Sequence, residues 1–220
     1  LLRLGPDAVK PLIAMLDVED PDTVRAAISA LGRIGDKGAA LYLLAAYAEH
    51  YDDDATRQAA SAALERLMAA EPNREEAVQV LMDRAQRYFD RRQVMETDAD
   101  GNVPMWVYDP RQKTPGLLLF PPDAARRRMA VKLARAATIL LPDDPAAARL
   151  HLTCVFEEAA HRKGLDAVTS GELDSFADQI PAEILETVLA EAIATGHIPA
   201  AIIAARRLAT AGSAEMLSSG

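Results

Sequence analysis

Apolar positions recur along this chain with the spacing of one helical face. Val9, Leu12, Ile13 and Leu16 form one such face, and Ala40, Leu43, Leu44 and Tyr47 form another, because residues three and four apart lie above one another on a helix. Each is followed by a second helical stretch, and these second stretches are copies of one another. Asp20-Pro-Asp-Thr-Val-Arg-Ala-Ala-Ile-Ser-Ala-Leu-Gly-Arg-Ile34 aligns without a gap on Asp53-Asp-Ala-Thr-Arg-Gln-Ala-Ala-Ser-Ala-Ala-Leu-Glu-Arg-Leu67, a period of about 33 residues, as helical repeats have. Two helices per repeat follow. The alanine pairs Ala26/Ala27 and Ala59/Ala60 favour close helix approach, while Ile28, Leu31 and Ile34 supply buried area at roughly 25 cal/mol per Å².

A third copy lies far downstream, where Ala200 to Leu208 aligns on Ala26 to Ile34. Its partner helix carries Leu185, Val188, Leu189 and Ala192, starts at Pro181 and stops at Gly196. A fresh amphipathic start, Ser213 to Leu217, follows Gly212. In the middle of the chain, Asn73 to Gln93 reads as an amphipathic helix capped by Asn73, with Glu75 and Glu76 in its first turn. Val94 to Pro122 is richer in Gly, Pro and Asp and holds the β-prone run Val103, Met105, Trp106, Val107 and Tyr108. This predicts a β-hairpin turning at Asp98 to Asn102, with Leu117 to Phe120 as a second extended piece able to pair with the first. Asp123 to Gly164 reads as a helix pair joined at Pro142-Asp-Asp-Pro145. Leu165 to Gln179 reads as one further short helix with a cap at Thr169/Ser170 ahead of Glu172 and Leu173. The chain thus divides into N-terminal repeats (1–70), a linking helix (71–93), an extended insert (94–122), a helix pair (123–164) and a C-terminal repeat (165–220).

The Asp20-Pro21 start, the Val24-Arg25 step and the Ala-Ala-x-x-Ala-Leu-Gly run of Ala26 to Gly32 resemble the HEAT-repeat family. The second copy has Asp54 in place of the proline and keeps an arginine, Arg57, one alignment position earlier than Arg25. The helix joint around Leu140-Leu-Pro-Asp-Asp-Pro145 resembles that between tetratricopeptide repeats. The whole order is similar to mixed helical-repeat proteins of planctomycete-type bacteria. These resemblances imply an all-α fold, an α-α superhelix of the HEAT/TPR-like solenoid type with a small β-hairpin insert. They also imply a non-catalytic scaffold for protein-protein interaction.

Composition narrows the function classes. Of 220 residues, 24 are Lys or Arg and 33 are Asp or Glu, a formal charge of −9 that repels a phosphate backbone and argues against general nucleic-acid binding. One cysteine excludes an intramolecular disulfide framework or a thiolate-rich zinc site. No run of about 18 apolar residues is present, so no membrane span is expected, and composition assigns no compartment. The sequence opens at Leu1 without methionine, so a fragment of a longer repeat protein is expected.

Visible chemistry is sparse. Glu96 to Gly101 places oxygens and a glycine as a calcium loop does, but its twelfth position is Val107, so an acidic turn is the simpler reading. Glu158 and His161 share a helical face without the second pair a di-iron site requires. His151 and Cys154 sit one turn apart on a helix that needs Cys154 for packing, and His50 and His197 have no neighbouring partner in sequence. No catalytic residue, cofactor or metal site is predicted. Two surface features point to binding of a protein or peptide partner. Arg128, Lys132 and Arg135, in a helix that also carries Arg126 and Arg127, share one face able to take an acidic segment. Trp106 and Tyr108 share one face of the predicted strand and either anchor a partner or fix the insert to its scaffold. Self-association through exposed terminal repeats is a further expectation. The rival readings are an enzyme or accessory module of the bilin-lyase-like HEAT type, marked by a pocket of convergent polar groups, and a helical-repeat nucleic-acid binder, marked by a continuous basic face.

Overall fold

The computed structural model describes residues 5–69, 73–165 and 180–218. The first repeat comprises α1 (Val9–Ala14), flanked by short 3-10 turns, and α2 (Pro21–Ile34); the second comprises α3 (Ala40–Glu49) and α4 (Asp54–Met68). After α5 (Arg74–Phe89) come strands β1 (Val103–Asp109) and β2 (Thr114–Phe120), then α6 (Pro122–Leu140), α7 (Pro145–Lys163), α8 (Ala182–Thr195) and α9 (Ile198–Ser218). The fold is an all-α superhelix with a small antiparallel hairpin. The short helix read within Leu165 to Gln179 falls on residues 166–179, outside the described part of the chain.

The two repeats start in the same way. Asp20 and Asp53 cap α2 and α4, accepting from the backbone N–H of Thr23 at 3.1 Å and of Ala55 at 3.1 Å. The hydroxyls of Thr23 and Thr56 donate to the same two carboxylates, and these bonds hold both carboxyls below their ordinary pKa. The one-position offset between the repeat arginines has a visible consequence. Arg25 spans the repeats, donating to Asp53 Oδ2 at 3.4 Å and Thr56 Oγ1 at 3.3 Å, whereas Arg57 stays at home on the Tyr51 carbonyl and Asp54.

Helix spacing is set at a glycine more than by the alanine pairs. Ala27 and Ala60 are buried, but Ala26 is exposed and Ala59 only partly covered. The close approach of α2 and α4 is at Gly32, where an added Cβ would stand 2.8 Å from the Ala63 Cβ. Gly32 is therefore a packing residue inside the helix, and the stop is made by Gly35, at φ +77°.

The helices α5 and α6 pack along one another, with the hairpin in the connection between them. Arg74, at the start of α5, donates through Nε to the Leu140 carbonyl at 2.6 Å and so satisfies the end of α6. Among the described residues two apolar cores result. The larger joins α1 to α6, and the smaller gathers Leu152, Phe156, Leu185, Val188 and Ile203 between α7, α8 and α9. The helix α7 serves both, turning Ala147 and Cys154 to the first and Leu152 and Phe156 to the second.

Two further sequence expectations need correction. The hairpin turns at residues 110–113 and not at Asp98 to Asn102; its register pairs Val103 with Phe120 and Asp109 with Thr114. Asp109 followed by Pro110 is the signal that went unread, since Asp then Pro suits the first two positions of a type I turn, and Asp109 Oδ1 accepts from Arg111 N at 2.8 Å. The segment at Asp98 does turn, with Asp98 Oδ1 accepting from Asp100 N and Asn102 N at 3.0 and 2.8 Å, but it leads into β1 and does not join two strands. The second correction is at the C-terminal end, where Gly212 does not separate two helices, because α9 continues through it to Ser218.

The Gly32–Ala63 contact is directly testable. Gly32→Ala forces α2 and α4 apart and is expected to lower stability by about 1–2 kcal/mol, the overpacking penalty outweighing the propensity gain of alanine. Urea denaturation checks this, with Gly32→Ala/Ala63→Gly expected to recover part of the loss.

Candidate functional site

The helix α6 carries the predicted basic face, and the fold places it opposite the first repeats. A groove of about 600 Å³ runs between the ends of α1 and α3 on one side and α6 and α7 on the other. Its apolar floor includes Leu16, Val131, Ile139, Val155 and Ala159, and its rim carries Arg128, Lys132, Arg135 and Arg162. Three of these cations are the predicted ones. The fourth, Arg162, was not predicted and stands one turn beyond Glu158 on α7.

The five basic residues of α6 have separate fates. Arg126 bonds Asp123 at 2.8 Å and the Gln93 carbonyl at 3.2 Å, and Arg127 bonds Glu158 at 3.1 Å. Lys132 pairs with Asp17, a residue 115 positions away. Arg128 is exposed and places its guanidinium 5.8 Å from the centre of the Phe120 ring. Arg135 is exposed and, like Arg162, makes no hydrogen bond or ion pair within contact distance among the described residues. The groove thus presents three exposed guanidinium groups over an apolar floor.

Two groove residues were not read as site residues from the sequence: Glu49 escaped it, and His50 was set aside for want of a partner nearby in sequence. Glu49 and His50, at the end of α3, line the wall facing α6. Burial pushes the Glu49 carboxyl up and Asp17 adds to this, while Lys132 and Arg135 oppose it. Burial pushes the His50 imidazole down, against the pull of Asp53. No periodicity or motif marks either residue, because their environment is made by a helix some eighty positions later in the chain.

Trp106 and Tyr108 are both partly buried in β1. Trp106 lines a smaller recess of about 290 Å³ with Ile13, Tyr42, Tyr88 and Met95, at whose edge Lys10 and Glu96 approach to 3.8 Å. The structure does not bring these aromatics into the basic groove. A third cleft, about 530 Å³, lies where the α8–α9 turn meets α5 and α6. His197 stacks on Phe89 there with ring centres 4.0 Å apart. Its charged walls pair internally, Asp123 holding both Arg91 at 3.3 Å and Arg126 at 2.8 Å.

The other chemistry drawn from sequence resolves into structural roles. His161 meets Glu157 at 3.2 Å, and Glu158 instead takes Arg127. The buried Glu157 also accepts from Ala200 N at 3.3 Å, docking the first turn of α9 onto α7. Cys154 is buried in the core, and burial pushes its thiol up, away from the reactive thiolate.

Residues 9–97 match the family of HEAT repeats, a stretch that takes in α1 to α5 and reaches into the loop before β1. No curated protein and no solved structure matches the chain. No helix among the described residues is long and apolar enough to cross a membrane.

The groove carboxyl makes stability depend on pH. Glu49 holds its proton to higher pH in the folded chain than its ordinary 4.5. The associated stabilisation is complete below 4.5 and is lost as pH rises through the folded pKa. His50 has the opposite sign, with stability present above 6.5 and lost as pH falls through the lowered value. Glu49→Gln is therefore expected to match the wild type at about pH 4 and to exceed it in stability at about pH 7. Urea midpoints at the two pH values measure this, and an unchanged gap would contradict the desolvation of Glu49.

Proposed function

We propose that this chain is a non-catalytic helical-repeat scaffold that holds a protein partner, and that the groove between the first repeats and α6 receives an acidic segment of that partner. The observation that carries the proposal is the exposure of Arg128, Arg135 and Arg162 beside an apolar floor, in a chain whose formal charge is −9. Acidic side chains are abundant enough to neutralise every cation, yet among the described residues these three stand outside the ion pairs. A partner with carboxylates flanking an apolar residue satisfies the rim and the floor together.

The HEAT-repeat match supports the scaffold reading, since repeats of that kind present extended surfaces suited to protein partners. Lys132 serves here as a wall residue, because its ion pair with Asp17 ties α6 to the end of the first helix. Arg128 and Arg135 are the residues that meet the partner.

The double reversal Arg128→Glu/Arg135→Glu tests this. Both side chains are exposed, so the thermal midpoint is expected to stay within a few degrees of the wild type. Affinity capture from the native lysate, with a photo-crosslinking residue at Val131, should yield a partner with the wild type and lose at least about tenfold of it with the variant. Equal capture by both proteins, or strong retention of DNA by the wild type at low salt, refutes the groove reading.

A further inference from the structure

The hairpin carries a surface that the groove does not explain. Val103 is buried and Met105 packs on the main core, so one face of β1 is turned to the scaffold. The pleat puts Trp106 on the other face of the strand from Val103 and Met105, beside its cross-strand partner Leu117, while Trp106 still borders the recess against Ile13 and Tyr42. The outer strand, β2, is barely covered. Leu117, Leu118 and Leu119 are 51%, 51% and 56% exposed, and the sheet has two strands, so one edge of β2 meets no other strand among the described residues.

The prolines show which backbone groups that edge offers. A proline has no N–H, so Pro104 and Pro115 sit in pairs of the antiparallel ladder that exchange no hydrogen bonds. Pro104 pairs with Leu119 and Pro115 with Tyr108. By alternation the Trp106–Leu117 pair is of the same kind. The N–H and C=O of Leu117 and Leu119 therefore point away from β1. Stable edge strands are normally protected by a charge, a proline or a bulge; β2 has Pro115 at the turn end of its free edge, but Gly116 to Phe120 carries neither a charge nor a proline.

We infer that β2 is a docking edge to which a protein partner adds an extended strand, apolar in the middle and acidic at its ends. This rests on the reading of the chain as a protein scaffold, but not on occupancy of the groove. The charge of the occupant follows from what brackets the edge. Exposed Arg111 and Lys113 stand at the turn, and exposed Arg128 lies over Phe120 at the other end. A second copy of this chain fits less well, because antiparallel pairing about Leu118 brings Arg111 and Lys113 of one hairpin toward Arg128 of the other.

The probe is a fluorescein-labelled peptide with two glutamates at each end of a Thr-Val-Ile-Val-Thr core. Anisotropy with the full chain should show saturable binding that weakens with salt. Amide hydrogen exchange at Leu117 and Leu119 should slow by about tenfold or more on peptide addition, while Leu118, already inside the ladder, stays unchanged. Leu119→Pro removes an outward N–H without removing a β1 hydrogen bond, so it should weaken binding by about tenfold at an unchanged circular dichroism spectrum, and Leu119→Thr should retain binding. The inference is overturned by absence of binding, by binding without slowed exchange, or by wild-type affinity in Leu119→Pro. It is also overturned if raising the concentration of the protein alone slows the same amides, which would make a second copy the occupant. Arg135→Glu is expected to leave the peptide response intact, so edge and groove can fail separately.

Discussion

A helix with apolar residues on two sides cannot end a stack, and α7 is such a helix. Leu152 and Phe156 on one side and Ala147 and Cys154 on the other are all buried, so α7 requires neighbours on both flanks. Its position accounts for the layout around it. The first core closes against one side through α6, the second through α8 and α9 against the other. Burial on both sides also takes in polar groups, and Glu157 is acceptable there because its two oxygens meet His161 and the backbone N–H of Ala200. A carboxylate at that point fixes where α9 begins on α7.

The same stacking distributes the charges of α6. This helix faces α3, α5 and α7, and each basic residue takes its environment from the neighbour it meets. Arg126 and Arg127 find carboxylates in reach, and Lys132 finds Asp17. Arg128 and Arg135 line the groove, where Glu49, the carboxyl that Arg135 acts on, is itself desolvated. The groove is thus a place where burial weakens the acid and leaves the cations uncovered. That imbalance distinguishes it from the cleft at His197, whose charges are consumed in its own walls.

The hairpin occupies the connection of two helices that pack along each other, α5 and α6. It adds little to the core beyond Val103 and Met105, and a two-stranded ribbon is not stable by itself in water. Its attachment through β1 leaves β2 on the outside. A strand carried in this way stabilises the fold weakly and offers backbone groups strongly, which separates its role from that of the helices.

Local chemistry was legible throughout the sequence. The Asn73 cap, the helical faces, the stop at Gly196, the helix joint at Pro142 to Pro145 and the β character of the insert all follow from contacts within a few residues, which composition and spacing encode. Arg128, Lys132 and Arg135 could be placed on one face for the same reason. What lay across that face could not be read, because Asp17 and Lys132 meet over 115 positions and Glu49 and His50 take their burial from packing. The hairpin turn was misplaced since both Asp98 to Asn102 and Asp109-Pro110 favour turns locally, and only pairing with Thr114 to Phe120 decides between them. Sequence determined the elements and their caps, where energies depend on neighbours along the chain. Tertiary structure decided which charges are paired and which stand uncovered, because that depends on helices brought together from distant parts of the chain.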